Sequence, residues 1–344
     1  MNSVTANPKD EIEENAGMND SSMYYEDISQ LVGNTPLVKL KKVTLGIKAL
    51  VLAKLEFLNP GGSVKDRMAF YMLQDAEREG KLKPGGTIVE ATSGNTGVAV
   101  AMYAAIKGYR AIFTIPDKMS QEKVNLLKAF GAEVTVTPTE VPPDSPQSYY
   151  QVAKRIQAEI PNSYFVGQYQ SLKNPEAHYK TTGPEIWRQT DGKIDYLVGG
   201  VGTGGTMSGT CRFLKEKKLK IKTIAVDPVG SVFYDYFKTK GLIKPHVYLV
   251  EGIGEDMLVE TMQFDFIDDF VQVTDKNSFL MARKLAREEG IFAGGSSGAA
   301  VWAALQIAYH LDHDKIVVVI LPDSGTRYLS KIYNDDWMKE KGFL

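Results

Sequence analysis

The chain has 344 residues, 43% of them hydrophobic and 24% charged, with a formal net charge of −2. That is enough chain for about two domains, and its near-neutral charge leaves no electrostatic footprint for nucleic acid or an anionic membrane. No apolar run approaches the roughly 20 residues a bilayer needs, and the first residues lack a basic-then-apolar leader pattern.

The single cysteine, Cys211, excludes an internal disulfide and points to a reducing cytoplasm. It falls in an apparent helix, where a small buried hydrophobe is expected rather than a reactive thiol. His178, His246, His310 and His313 are scattered, with no cysteine or acid completing a ligand set, so no metal centre is expected.

Residues 1–24 are polar and acidic with no apolar period and read as a flexible tail. From Tyr25 the pattern tightens, through TPLVKL (35–40) to a strand over 49–57. The motif NPGGSVKDR (59–67) follows, and then a helix over 64–80 with Met68, Met72 and Ala76 on one face. Strands and helices then alternate: strand 87–91, helix 95–108, strand 111–116, helix 120–131 and strand 132–138. A helix over 144–160 is expected to be capped by Asp144 or Ser145, with Pro146 in its first turn. A helix over 174–189 precedes strand 194–201, helix 206–218 and strand 221–227. After an irregular stretch, helices recur at 276–290 and 296–311, before a buried strand over 316–323. Short β-branched runs alternating with helices predict an α/β protein with parallel sheets, in two blocks of about 60–168 and 169–325.

Ligands in such folds sit beyond the carboxyl ends of strands, where small-residue loops turn into helices. Lys65, at a helix start, is there disfavoured as a cation by the helix dipole, which lowers its pKa and sharpens it as a nucleophile for Schiff-base chemistry. A glycine turn with a solvated lysine is the plain alternative. TSGNTG (92–97) gathers Thr92, Ser93, Asn95 and Thr96 at a helix start, more polar groups than capping needs, and suits a carboxylate. VGTGGT (201–206) suits a phosphate, with Thr203 and Thr206 adding hydroxyls, and it lacks the ending of a Walker loop. Gly200, Gly202 and Gly205 also fit a dinucleotide fingerprint, with Asp227 where a ribose-binding acid stands, so a nicotinamide or flavin oxidoreductase is a rival reading. GGSSGA (294–299) reads as close helix packing, and PDSGTR (322–327) alone reads as a turn.

A nucleophilic lysine, a phosphate loop, a carboxylate loop and a hydroxyl beyond a strand are together what a pyridoxal 5′-phosphate enzyme acting on an amino acid requires. NPGGSVKDR, TSGNTG, VGTGGT and LPDS occur in order and spacing such that the chain from about Tyr25 to Leu344 resembles the cysteine synthase/cystathionine β-synthase family of fold-type II pyridoxal-phosphate enzymes. DSPQS (144–148), IPNSYFVGQYQ (160–170), NPEAHY (174–179), EGIG (251–254) and WMKEKGFL resemble the cystathionine β-synthase branch, whereas KTTGPEIW (180–187) resembles the cysteine synthases.

The resemblance implies a tryptophan synthase β-like fold: two open twisted α/β domains with the cofactor between them. One domain would comprise 25–58 plus 169–344, and the smaller one 59–168. It implies Lys65 as Schiff-base lysine and catalytic base, Asn95 at the cofactor's ring hydroxyl, and Gly202, Thr203, Gly204, Gly205 and Thr206 at its phosphate. Ser324 would face the ring nitrogen, and Thr92, Ser93, Thr96 and Gln168 would hold the substrate carboxylate. A neutral hydroxyl at the ring nitrogen weakens the carbanion sink and suits β-elimination and replacement over transamination.

The implied reaction is β-replacement through an aminoacrylate, joining L-serine or an activated serine to L-homocysteine, with release of hydrogen sulfide as a side reaction. The alternative is cysteine synthesis from O-acetylserine or O-phosphoserine and sulfide. Partners would be small amino-acid and thiol substrates, with a homodimer expected from the family. Without an N-terminal Cys/His pair no haem is expected, and the chain reads as an unregulated catalytic core. Glu255 stands where the better-known members carry a tyrosine near the active-site entrance, which leaves the second substrate open, because an acid there would favour a cationic or amino-bearing nucleophile.

Overall fold

The computed structural model describes residues 24–92, 94–117, 119, 121–142 and 144–344. Most of the acidic tail (1–23) and Ser93 lie outside the described residues. Strands β1 (Leu37–Lys39) and β2 (Leu50–Leu55) come first, then helix α1 (Lys65–Arg78). Next come β3 (Thr87–Ala91), α2 (Asn95–Lys107), β4 (Arg110–Pro116), α3 (Gln121–Ala129), β5 (Glu133–Thr137), α4 (Tyr149–Glu159) and β6 (Ser163–Phe165). Helices α5 (Lys173–Lys180) and α6 (Thr182–Gln189) lead into β7 (Tyr196–Gly200), α7 (Gly205–Lys217), β8 (Lys222–Pro228), α8 (Phe233–Thr239) and β9 (Asp269–Val273). The last elements are α9 (Asp275–Lys284), α10 (Gly295–Ala308), β10 (Ile316–Leu321) and α11 (Asp335–Glu340).

The strands form two sheets. One is six-stranded in the order β1-β2-β10-β7-β8-β9, and the other is four-stranded in the order β5-β4-β3-β6. Every pairing is parallel except β1 with β2. The chain runs outward from β3 to β4 and β5, then returns to lay β6 on the other side of β3. It does the same from β7, with β8 and β9 outward and β10 returning. Such reversals open a crevice at the carboxyl ends of the strands. TSGNTG follows β3 and VGTGGT follows β7, so both polar loops lie at a reversal point.

Helices cover both faces of the sheets, which is why β3 is buried throughout and β10 is wholly apolar. Met68, Met72 and Ala76 of α1 are buried against Val98, Met102 and Tyr103 of α2. Each such large side chain contributes about 1.5–3 kcal/mol by leaving water. Gly298 of α10 lets α9 approach closely, because a Cβ there would collide with the Ser278 carbonyl oxygen. That contact agrees with the packing role read for 294–299.

Three expected helices differ from the sequence reading. The helix expected over 144–160 begins only at Tyr149, where Ser148 caps it by accepting from Gln151 N, and residues 144–148 make turns instead. The helix expected over 174–189 breaks at Thr181 (φ −123°). Pro184, one turn on, has no N–H to give to the Lys180 carbonyl, so the α-helical ladder cannot run through. The helix over 276–290 ends at Lys284 and widens into a π turn over Leu285–Glu289.

Candidate active site

Lys65 opens α1, and the turn before it is tied down on two sides. Asn59 Oδ1 accepts from Gly33 N (2.8 Å), and its Nδ2 donates to the Glu56 carbonyl (2.8 Å) and to Glu56 Oε2 (2.9 Å). Gly62 has φ +77°, a conformation that favours glycine. Val64 N donates to Pro322 O (2.8 Å), and Ser324 N donates to Gly62 O (3.3 Å). The NPGGS turn is thereby stitched to the turn after β10. Lys65 is half-buried, and its pKa is lowered first by burial, with Asp323 and Glu255 opposing. The expected direction holds, with loss of water as the largest cause.

The loop after β7 crosses directly above this lysine. Lys65 shares one cavity with Gly200, Gly202, Thr203, Gly204 and Thr206. Gly204 caps α7 at φ +77°. A Cβ on Gly202 would sit 2.8 Å from the Gly252 carbonyl oxygen, one on Gly204 2.6 Å from Met262 Sδ, and one on Gly205 would overlap Asn174 Oδ1. The amides of Gly202, Thr203 and Gly204 have no acceptor among the described residues. Unpaired amides at the head of a 13-residue helix suit an anion such as a phosphate.

Two residues that the sequence reading did not place hold this loop. Asn174 Nδ2 donates to Gln168 O (2.8 Å) and to Thr203 Oγ1 (3.1 Å). His178 pairs through Nε2 with Thr206 Oγ1 (3.2 Å) and through Nδ1 with Thr182 Oγ1 (2.9 Å). Burial and the nearby Arg67 and Lys65 hold its pKa well below the usual histidine value, so the ring is neutral.

The loop after β3 faces the same crevice. Thr92 Oγ1 accepts from Gly94 N (3.3 Å) and Gly97 N (3.2 Å), leaving its hydroxyl proton free to donate. Thr96 Oγ1 donates to Gln168 Oε1 (2.6 Å), which joins the loop to the residue expected to share its ligand. Asn95 Nδ2 donates to Asp323 Oδ2 (2.9 Å), and Tyr328 OH donates to the same oxygen (2.6 Å). Asp323 is fully buried, with its pKa raised by burial, and was not singled out from the sequence. The neighbouring Ser324 hydroxyl pairs with Thr326 Oγ1 (3.1 Å) and lines a separate cleft of about 680 Å³ with Gly62 and Gly94. Lys65 and the phosphate loop therefore share one cavity, while Ser324 opens on its neighbour across the NPGGS turn.

Glu255 is half-buried, and burial pushes its carboxyl up to about 8, against a Tyr169 hydrogen bond and the Lys65 charge. A carboxyl so raised carries less negative charge near neutrality than an ordinary glutamate. Glu251, four residues before, pairs with Lys123 of α3 and with Lys331 (2.6 Å) across the crevice. Asp227 does not face the glycine loop as a ribose acid would, because its Oδ2 accepts from Tyr234 N (2.9 Å) at the start of α8.

Among the described residues no group of three or more His, Cys, Asp or Glu could hold a metal ion. Cys211 is buried within α7, and its thiol is pushed above its ordinary pKa by burial. No helix among the described residues is long and apolar enough to cross a membrane.

Residues 28–323 match the pyridoxal-phosphate dependent enzyme family. The chain is 50% identical over 320 residues to the cystathionine beta-synthase of Apis mellifera, covering 92% of this chain and 63% of that protein. It is 45% identical over 329 residues to that of Saccharomyces cerevisiae, covering 91% and 64%. It is 43% identical over 305 residues to the O-acetylserine dependent cystathionine beta-synthase of Bacillus subtilis, covering 89% and 96%. The chain thus spans about three fifths of the length of the animal and yeast relatives and nearly all of the bacterial one.

Proposed function

The chain belongs to the family of pyridoxal-phosphate dependent enzymes, and on that premise we propose that it joins L-serine or an activated serine to L-homocysteine, making L-cystathionine. The observation that carries this reading is Lys65, half-buried with a lowered pKa, in one cavity with a glycine loop whose amides lack acceptors. Similarity to the named cystathionine beta-synthases supplies the substrate pair. The bacterial relative's name favours O-acetylserine as the donor in a second reading, and cysteine synthesis from acetylserine and sulfide is a third.

The residues fit the cofactor. The free amides of Gly202, Thr203 and Gly204 and the head of α7 would take its phosphate, with Gly205 and Thr206 completing the loop. Lys65 Nζ would hold its aldehyde and Asn95 would meet its ring oxygen, while Ser324, expected at its ring nitrogen, lines the adjoining cleft. Bound pyridoxal phosphate supplies the electron sink that makes the substrate's Cα proton removable.

The chain's own groups do the rest. Thr92, Ser93, Thr96 and Gln168 orient the substrate by its carboxylate. Lys65 Nζ, its proton affinity lowered by burial, takes the Cα proton as general base. It then delivers a proton to the departing β-oxygen. A serine hydroxyl needs that proton far more than an acetate leaving group does. Glu255, its carboxyl raised to about 8 by burial, interacts electrostatically with Lys65 in the same crevice.

The two-lobe division at 25–58 plus 169–344 and 59–168 is part of the same proposal, supported by which strands each sheet recruits. So are a homodimer and a cytoplasmic location, which rest on family analogy and the single cysteine. Steady-state assays with serine or acetylserine against homocysteine or sulfide test the activity. Cystathionine is the expected product from homocysteine. Negligible cystathionine beside brisk cysteine formation from acetylserine and sulfide would overturn the first reading in favour of the third.

A further inference from the structure

We propose that Glu90 is a positioning residue, a neutral carboxylic acid beneath the 167–168 turn that holds Gln168 in place for the substrate carboxylate. The inference rests on the reading that Thr96 and Gln168 bind that carboxylate.

Glu90 is the fourth residue of β3, a strand otherwise made of core positions, and it is 0% exposed. Its Oε2 accepts from Gly167 N (2.8 Å), while Oε1 is buried with no hydrogen-bond partner. No ion pair reaches it among the described residues. The groups that face it are Tyr149 and Tyr150 of α4, Tyr164 of β6, Tyr169, and the backbone and side-chain amides of Gln168. None of these is a cation.

A carboxylate buried without a cation is costly, and the group escapes that cost by staying protonated. Burial accordingly pushes this carboxyl up to about 8. Gln168 is then pinned at both ends. Its Oε1 accepts from Thr96 (2.6 Å) and its carbonyl accepts from Asn174 (2.8 Å), while Glu90 anchors the preceding residue through Gly167 N (2.8 Å). A neutral acid does this without placing negative charge behind the substrate's own carboxylate. Ionisation above about pH 8 would place it there.

The test is spectral titration of the holoenzyme with L-serine, from about pH 7 to about pH 9, for the wild type, Glu90→Gln, Glu90→Ala and Gln168→Ala. Cofactor affinity is measured on the same samples. Glu90→Ala is expected to weaken serine binding about tenfold, the value of one lost buried hydrogen bond, with cofactor affinity unchanged. Glu90→Gln, which copies the neutral acid, is expected to bind serine within about twofold of wild type at about pH 7. It should also lack the wild type's extra loss of affinity above about pH 8. Serine binding in Glu90→Ala equal to wild type, or wild-type and Glu90→Gln pH curves that superimpose, would overturn the proposal. If Gln168→Ala leaves serine affinity unchanged, the carboxylate reading itself fails. If it weakens binding while Glu90→Ala does not, only the role of Glu90 fails. Should Glu90→Ala not fold, the wild-type and Glu90→Gln pH curves still decide.

Discussion

Replacing Glu185 with alanine tests the buried charge network that anchors the lysine turn. Lys54 and Arg67 are the cations and Glu56 and Glu185 the anions, all at most 6% exposed. Glu185 accepts from Lys54 Nζ (2.8 Å), Arg67 Nη1 (2.7 Å), Arg67 Nη2 (2.7 Å) and Asn34 N (2.9 Å). Its removal leaves two buried cations facing one carboxylate. Breaking a buried pair from one side costs about 3–5 kcal/mol. The pKa gives a similar figure, since the two cations hold the Glu185 carboxyl at about 2 against an ordinary 4.5. By linkage that shift is worth about 3 kcal/mol at neutral pH. Because the folded pKa is depressed, this contribution is present above about pH 4.5 and lost as pH falls toward 2. The assay is urea unfolding followed by far-ultraviolet circular dichroism at fixed excess cofactor. Lys54→Met combined with Glu185→Leu restores charge balance and should recover part of the loss. A Glu185→Ala cost below about 1 kcal/mol, or no recovery in the double variant, would refute the argument. Arg67 lies two residues beyond Lys65 on α1, so the same variant should also loosen the lysine's hold on the cofactor.

Gly205→Ala forces a Cβ onto Asn174 Oδ1 and should lower pyridoxal phosphate affinity at least about tenfold, measured by absorbance titration of the apoenzyme. An affinity within about twofold of wild type would show that the loop gives way easily. A pH series follows from Asp66 and Asp227, raised to about 7, and Glu90 and Glu255, raised to about 8. Acids with raised folded pKa values stabilise the fold most fully below their ordinary pKa, and that stabilisation is lost as pH rises through the folded values. Urea midpoints are therefore expected to fall between about pH 4.5 and about pH 8 and to level off above that, with a smaller fall in Glu90→Gln.

The glycine loops and the lysine were legible in the sequence because their chemistry is local. NPGGSVKDR and VGTGGT declare strand ends, helix starts and close backbone approach within nine residues or fewer, and the structure puts both in one cavity. The alternation of short β-branched runs with helices likewise determined an α/β fold with parallel sheets. Helix ends at 149, 181 and 284 were less legible, since a cap, a proline one turn on and a π turn compete with a continuous apolar period. Tertiary structure alone decided the supporting residues. Glu90 lies on β3, Asn174 and His178 on α5 and Asp323 just after β10, and each acts on a segment distant in sequence or across the crevice. It also decided the charge states. Burial lowers the proton affinity of Lys65 and raises that of Glu255, so the acid at the entrance carries less charge than its residue type implies. Sequence spacing names the groups along a strand or helix, but the water each group loses depends on what the other sheet brings over it.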